Sequence, residues 1–260
     1  MSVSPRDRAS VPLLHRPVTV HAWDDVVFAH WRHDPEVLAP LVPRGVRPDV
    51  VDGSAWAGLS SYVFRETAVP PFPPSRRLGS MTEVTIEVLT VDDRGRHGVV
   101  YRTVDTNNVP AIVAAHALLG VPYTFSRAGG RRRGDTLEYR SVRHPDRWAG
   151  RLRSVPSLRV GGPARPRLAT TVRVVAGEVD DSALAAELTT RAGIHAKLLA
   201  QTAFWQRQHP PLVLRRARLD RLEGDLPAAV GLPGLFDRAP DSVLVLDGTT
   251  VRYGWGDVVR

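Results

Sequence analysis

The chain has 260 residues, a formal net charge of +8 and no cysteine. The lack of cysteine excludes disulfides, thiolate metal sites and cysteine nucleophiles together, and no apolar run approaches the roughly 20 residues that a membrane-spanning helix needs. With 43% hydrophobic and 24% charged residues, the composition is that of an ordinary folded soluble chain.

One domain over residues 1–260 is expected at this length. Met1–Pro12 is polar and lacks an apolar segment, so residues 1–16 read as an extended arm, nothing directs export, and a cytoplasmic location is the default. Lys197 is the only lysine, and the arginines are scattered apart from Arg131-Arg132-Arg133. The charge is therefore read as a solvated basic surface, and a nucleic-acid partner is not expected.

Val18–Phe28 reads as a first strand. Asp34 as N-cap, Pro35 and Glu36 predict a short helix that stops at Pro43-Arg44-Gly45, with Val37, Leu38 and Leu41 as its buried stripe. A second strand, Ala55–Phe64, follows the Asp52-Gly53 turn. Pro70–Gly79, with prolines at 70, 71, 73 and 74, cannot supply the ladder hydrogen bonds of a central strand and is read as a loop. In Thr82–Val91 the alternation is clearest: Val84, Ile86 and Val88 take one face, Glu83, Thr85 and Glu87 the other.

A strand at His97–Thr106 precedes a second helix, opened by Asn108 and Pro110 and closed at Gly120, with Ile112, Ala115, His116 and Leu119 on one face. Strands at Thr136–Val142 and Leu168–Ala176 flank the loop-like stretch His144–Arg167. A third helix runs from about Asp181 to Thr190 and ends near Gly193. Strands at Leu198–Gln206, Leu212–Leu219, Ser242–Leu246 and Thr250–Val259 follow. Roughly ten strands at short spacings predict an α+β fold, mainly antiparallel β, closed as a barrel or sandwich.

Phosphate loops, dinucleotide fingerprints, zinc-protease helices and nucleophile elbows are missing. His30 and His33 are spaced i, i+3 ahead of the first helix rather than on it, and no metal or cofactor is expected. His116 reads as a buried, hydrogen-bonded histidine, with catalysis as the alternative. Glu83 and Glu87 share a strand face about 13 Å apart. In a closed cavity desolvation would make one of them a general acid or base; against water they are ordinary charges, and the alternation alone favours water. Lys197 would form a Schiff base only if desolvated; otherwise it is an exposed lysine on a polar turn.

Several segments together carry a resemblance. Trp23-Asp24-Asp25-Val26-Val27-Phe28-Ala29-His30-Trp31, then Asp34-Pro35, Leu41-Val42-Pro43-Arg44-Gly45-Val46 and Asp52-Gly53-Ser54-Ala55-Trp56-Ala57-Gly58, resemble the N-terminal half of the YqjF-like proteins, a largely uncharacterised family grouped with acetoacetate decarboxylase. Glu83, Asp105 and Gly120-Val121-Pro122-Tyr123 follow in the same order. The resemblance runs from about residue 17 to the C-terminal strand and is most specific in the first hundred residues.

It implies an acetoacetate decarboxylase-like barrel or cone with a few peripheral helices and an internal cavity. In that decarboxylase a lysine pair follows the Gly-x-Pro turn; here Tyr123 and Thr124 stand there, and neither can form an imine. The decarboxylase's pocket glutamate is matched by Glu83, which tips that residue toward a cavity. The YqjF-like relatives carry Asn and Arg where this chain has Thr85 and Glu87, so the ligand's charge does not transfer.

The resulting expectation is an enzyme acting on a carbonyl or polyketide-like compound by acid–base chemistry: enolisation, dehydration, cyclisation or decarboxylation without an imine. Glu83 would transfer the proton and Tyr123 donate to a developing oxyanion, with Glu87 or His116 assisting. Thr85, Tyr101, Trp56, Phe64 and Arg65 are expected to contact the substrate. The alternative is a non-catalytic protein that binds or senses an apolar small molecule. A small molecule is the expected partner, a membrane is not, and a homo-oligomer is compatible with the sequence.

Overall fold

Extended segments rich in β-branched and aromatic residues favour strands, and the order in which those strands pair decides which side chains lose contact with water. The computed structural model describes residues 16–143 and 168–259. The expected arm, apart from Arg16, and the loop-like stretch His144–Arg167 lie outside the described residues.

Among the described residues there are thirteen strands: β1 (Thr19–His33), β2 (Val46–Pro48), β3 (Ala55–Ala68), β4 (Met81–Asp92), β5 (His97–Thr106), β6 (Tyr123–Phe125), β7 (Gly129–Arg133), β8 (Thr136–Val142), β9 (Ala169–Val179), β10 (Gly193–Leu198), β11 (Gln201–Gln208), β12 (Arg215–Gly224) and β13 (Ser242–Val258). Seven form a closed barrel in the order β1-β3-β4-β5-β10-β11-β13, shut by β13 pairing back onto β1 from Tyr253↔Thr19 to Ser242↔His30. The pairs are antiparallel except β5–β10 and β5–β6. β13 also passes at Leu244 and Val245 to β12, which continues through β9 and β8 to β7 as a second sheet.

The barrel wall packs its outer face on that sheet. Val27, Ala29 and Trp31 of β1, Ala57 and Leu59 of β3, and Val84, Ile86 and Val88 of β4 share one buried cluster with Leu137, Tyr139, Val172 and Val174. A bulge in β1 between Asp24 and Val27, with Asp25 at φ 52°, resets the alternation. It leaves Trp23, Val26 and Phe28 in a separate cluster with Tyr62 and Phe64. The polar face of β4 is thus not wet: all twelve residues from Met81 to Asp92 are buried.

The helices are short. In α1 (Pro35–Leu38), extended by a 3-10 turn at Ala39–Leu41, Asp34 caps by accepting the Glu36 N–H at 2.9 Å. One turn buries one side chain, so Leu38 is buried while Val37, expected in the stripe, is 56% exposed. A helical turn, α2 (Arg76–Gly79), ends the proline-rich loop. In α3 (Val109–Ala114), capped by Asn108, the helix widens to a π turn at Ala115–Leu119 and stops at Gly120, φ 66°. A Cβ at Gly120 would lie 2.2 Å from the Lys197 carbonyl, so close packing as well as backbone conformation demands glycine there. The third expected helix is α4 (Ala183–Thr189), capped by Ser182.

Several strands differ from expectation: β2, β6, β7 and most of β10 were not expected, and β12 runs over Arg215–Gly224 where Leu212–Leu219 was expected. Leu198–Gln206 spans the β10–β11 hairpin, whose turn holds Leu199 at φ 56°. Ser242–Leu246 and Thr250–Val259 are parts of the single β13, where Gly248 marks a close approach to Asp24 rather than a turn: a Cβ there would meet Asp24 Oδ1 at 2.8 Å. No helix among the described residues is long and apolar enough to cross a membrane.

Ile86, fully buried between wall and second sheet, reports on that packing. Ile86→Ala is expected to lower stability by about 2–5 kcal/mol, read as a lower urea midpoint at unchanged slope. A change below about 0.5 kcal/mol, the range of surface substitutions, would contradict the two-layer core.

Candidate functional site

The ladder sets inward-facing side chains in rungs. Tyr62 pairs with Glu83, Ser60 with Thr85 and Gly58 with Glu87 across β3 and β4. On the flanks Phe28 lies beside Ser60, His30 beside Gly58, and Tyr101 beside Glu87. Glu83, Thr85 and Glu87 are 1%, 0% and 4% exposed, so the face that alternation alone assigned to water lies inside the barrel.

Among the described residues, the side chains that hydrogen-bond Glu83 are phenols. Tyr62 and Tyr123 donate hydrogen bonds to its carboxyl group, while its Oε1 is buried without a partner. Burial outweighs the phenols, and the carboxyl pKa is pushed up to about 8. Four of the chain's five tyrosines, Tyr62, Tyr101, Tyr123 and Tyr253, share this electrostatic environment, and burial raises the pKa of each, so all four remain protonated donors.

Glu87 is treated differently. Ser60 Oγ donates to it at 2.6 Å. Burial raises its pKa, but Ser60, Arg207 and Arg191 oppose the rise. Arg207 reaches in from β11, its Nε donating to the Arg191 carbonyl at 3.2 Å and Nη1 to Tyr101 Oη at 3.5 Å, with the guanidinium 5.7 Å from the Trp23 ring centre. Arg191 pairs with Asp49, which lies 2.7 Å from His97 Nδ1. The void bordered by Tyr62, Glu87, Tyr101, Arg191 and Arg207 measures about 10 Å³, the room of about one water.

The other expected residues separate. Thr85 Oγ1 donates to the Ser60 carbonyl at 3.3 Å, and Trp56 Nε1 to the Val51 carbonyl at 2.9 Å. Phe64 is buried edge-on against Tyr62 at 5.3 Å. Arg65, the next residue on an alternating strand, points outward, is exposed and pairs with Asp24 instead of meeting a substrate. His116 is exposed, its Nδ1 3.1 Å from the Ile112 carbonyl of its own helix. The π turn changes the angular step of the helix there, so His116 does not continue the buried Ile112 face. Lys197 is exposed on β10, so it lacks the desolvation an imine-forming lysine needs. Asp105 is buried beneath Arg143 and receives Ser141 Oγ at 2.6 Å, a support for β5.

Sequence reasoning missed Tyr62, Tyr253, Arg191 and Arg207, and gave His30 no interior role. Tyr62 follows by period two from Trp56 and Ser60; the others are brought in by barrel closure, which leaves no local signal. No metal-holding group of His, Asp or Glu occurs among the described residues.

This closed seven-stranded barrel is the acetoacetate decarboxylase-like fold. An acetoacetate decarboxylase-like enzyme from Sphingomonas wittichii RW1 superposes with TM-score 0.63 at 13% identity, covering 94% of this chain and 93% of that one. The biosynthesis enzyme MppR complexed with pyruvate gives 0.62 at 13%, covering 96% and 93%. Acetoacetate decarboxylase from Legionella pneumophila gives 0.61 at 12%, covering 100% and 96%. At such identities the likeness is one of fold. Within it, the chain belongs to the DUF2071 family of uncharacterized conserved proteins, matched over residues 20–250. It is also 28% identical over 130 residues to the uncharacterized protein YqjF of Bacillus subtilis, an alignment covering 49% of this chain and 52%, about half, of that relative.

Because the folded chain keeps a proton on Glu83 that the unfolded chain releases above its ordinary 4.5, this group's stabilisation is full below pH 4.5 and is lost as pH rises through about 8. The loss amounts to about 5 kcal/mol at most. Urea unfolding at pH 5 and 8.5 is expected to show a fall in wild type that Glu83→Gln largely removes; equal pH dependence in both would contradict the burial of this carboxyl.

Proposed function

We propose that the chain is a small-molecule enzyme acting on a carbonyl compound by acid–base chemistry, with Glu83 as the proton-transfer group. The observation that carries this reading is a buried carboxyl with a pKa near 8, two phenol donors and one unpaired oxygen. A group that titrates near neutrality serves in both directions, as base when ionised and as acid when protonated.

In the simplest case, the Glu83 carboxylate removes an α-proton, the C–H electron pair moves into the enolate, and the single phenol protons of Tyr123 and Tyr62 turn from Glu83, now protonated, to the oxygen that gains charge. The proton then returns from Glu83 to carbon. Dehydration, cyclisation and decarboxylation pass through the same enolate. An imine at the family position has no part, since Tyr123 and Thr124 occupy it. The neighbours, acetoacetate decarboxylases and a pyruvate-bound biosynthesis enzyme, support a small carbonyl compound as substrate class.

A second reading, a non-catalytic binder, draws on the tight packing, since a void of about 10 Å³ admits a larger molecule only after side chains move. One experiment separates the two. Ketones and keto acids are incubated with the protein in D2O, and loss of the α-proton signal is followed by NMR. The enzyme reading expects catalysed exchange that falls about 10²–10⁴-fold in Glu83→Gln and at least about tenfold in Tyr123→Phe. Binding without exchange supports the second reading, and equal exchange by wild type and Glu83→Gln rules out the role given to Glu83.

A further inference from the structure

The parallel strands β5 and β10 pair only at Gly98↔Gly193 and Val99↔Ile194, and β5 next finds a partner on that edge at Val104, beside Tyr123 of β6. The split opens into a pocket of about 350 Å³, a size that holds small organic ligands. Val99, Tyr101, Ile194 and Ala196 turn into one interior cluster, so on alternating strands Val100, His195 and Lys197 face outward. Arg102, the extra residue of a bulge opposite Ile86 and Glu87, reaches outward too. Its Nη1 donates to the Leu41 carbonyl at 2.7 Å, and its Nε and Nη2 donate to the Val230 carbonyl at 3.3 and 3.2 Å, on segments packed against the outer core.

The walls are largely apolar, formed by Leu41, Val42, Pro43, Val121 and Pro122 among others; Arg102 and Lys197 border the space, and no carboxylate does among the described residues. His195, also on the lining, is neutral: burial lowers its pKa to about 4, and its Nδ1 lies 2.9 Å from Thr90 Oγ1. Arg102 is half-buried, which lowers its pKa as well, and its hydrogen bonds go to uncharged carbonyls. Each terminal nitrogen of the guanidinium keeps one N–H beyond those bonds. A partly buried cation with no counter-ion is a costly arrangement that an aliphatic side chain at this position would avoid.

We propose that this pocket binds the carboxylate of a small organic acid, with Arg102 and Lys197 on the head group and the proline and aliphatic walls on an apolar body. Charge and lining select the class. Two cations exclude an ammonium, and apolar walls offer too few donors for a fully polar ion such as inorganic phosphate. The remaining N–H groups of a guanidinium fork match the two oxygens of a carboxylate.

Because Lys197 is the only lysine of the chain, 13C labelling of lysine at Cε gives one side-chain signal, and it reports on this pocket. Straight-chain carboxylates of about four to ten carbons, the primary alcohols of the same lengths and the matching alkyl phosphates are titrated against it, with affinities from calorimetry. The best-fitting acid is expected to shift the Lys197 signal saturably and to bind about tenfold tighter than its alcohol, less so as salt rises. Lys197→Glu, a change at an exposed position, should weaken the acid about fivefold or more. Arg102→Gln should weaken it about tenfold, with circular dichroism as the check on folding, since Arg102 also ties Leu41 to Val230; Lys197→Glu decides the matter if that variant does not fold. Glu83 faces the barrel interior, so Glu83→Gln is expected to bind the acid as wild type does. An unmoved Lys197 signal, equal affinity for acid and alcohol, or equal affinity in wild type and Lys197→Glu overturns the site. Loss of binding in Glu83→Gln would put the acid inside the barrel and overturn it as well, and an alkyl phosphate that binds tighter than the acid overturns the ligand class.

Discussion

Closure of β13 onto β1 is the constraint from which the rest of the molecule follows. Seventeen residues long, β13 seals the barrel along nearly the whole of β1 and still reaches the second sheet through Leu244 and Val245. Were the barrel open, the polar face of β4 would lie against water, as its alternation suggests. With the barrel shut and the second sheet covering the outside, both faces of β4 are dry. Carboxyl groups at positions 83 and 87 then exist only on terms set by their immediate neighbours.

Those terms differ along one strand. Glu87 has a serine hydroxyl and the fields of two guanidiniums, Arg191 and Arg207, while Arg191 is matched in turn by Asp49. The guanidiniums thus lie beside Glu87 and Asp49, and Glu83 is left with phenols that donate but carry no charge. Burial pushes both carboxyls up, and what opposes the rise differs: phenols at Glu83, a serine hydroxyl and two guanidiniums at Glu87. The barrel thus has a phenol-lined end at Glu83 and a guanidinium-lined end at Glu87, with Tyr62 beside both.

Much of the architecture was legible in the sequence. His97–Thr106 and Thr136–Val142 are strands with the expected bounds, and Asp34 and Asn108 cap the helices assigned to them. Local alternation states which residues share a face and is silent on what the face meets, so Glu83 and Glu87 were placed on one face, the family resemblance turned only Glu83 toward a cavity, and the burial of Glu87 had no sequence signal. Arg65 and His116 were misplaced because single positions depend on strand parity and on the π turn. Arg207 and Tyr253 carry no local mark of burial, since it is the ring of seven strands that brings β11 and β13 across from β4.

The account turns on the protonation of one side chain. A pH titration of the Glu83 side-chain carboxyl carbon by 13C NMR, assigned by its loss in Glu83→Gln, measures it directly. A midpoint near 8 is expected; a midpoint near the ordinary 4.5 would contradict the dry, phenol-lined environment and the chemistry assigned to it.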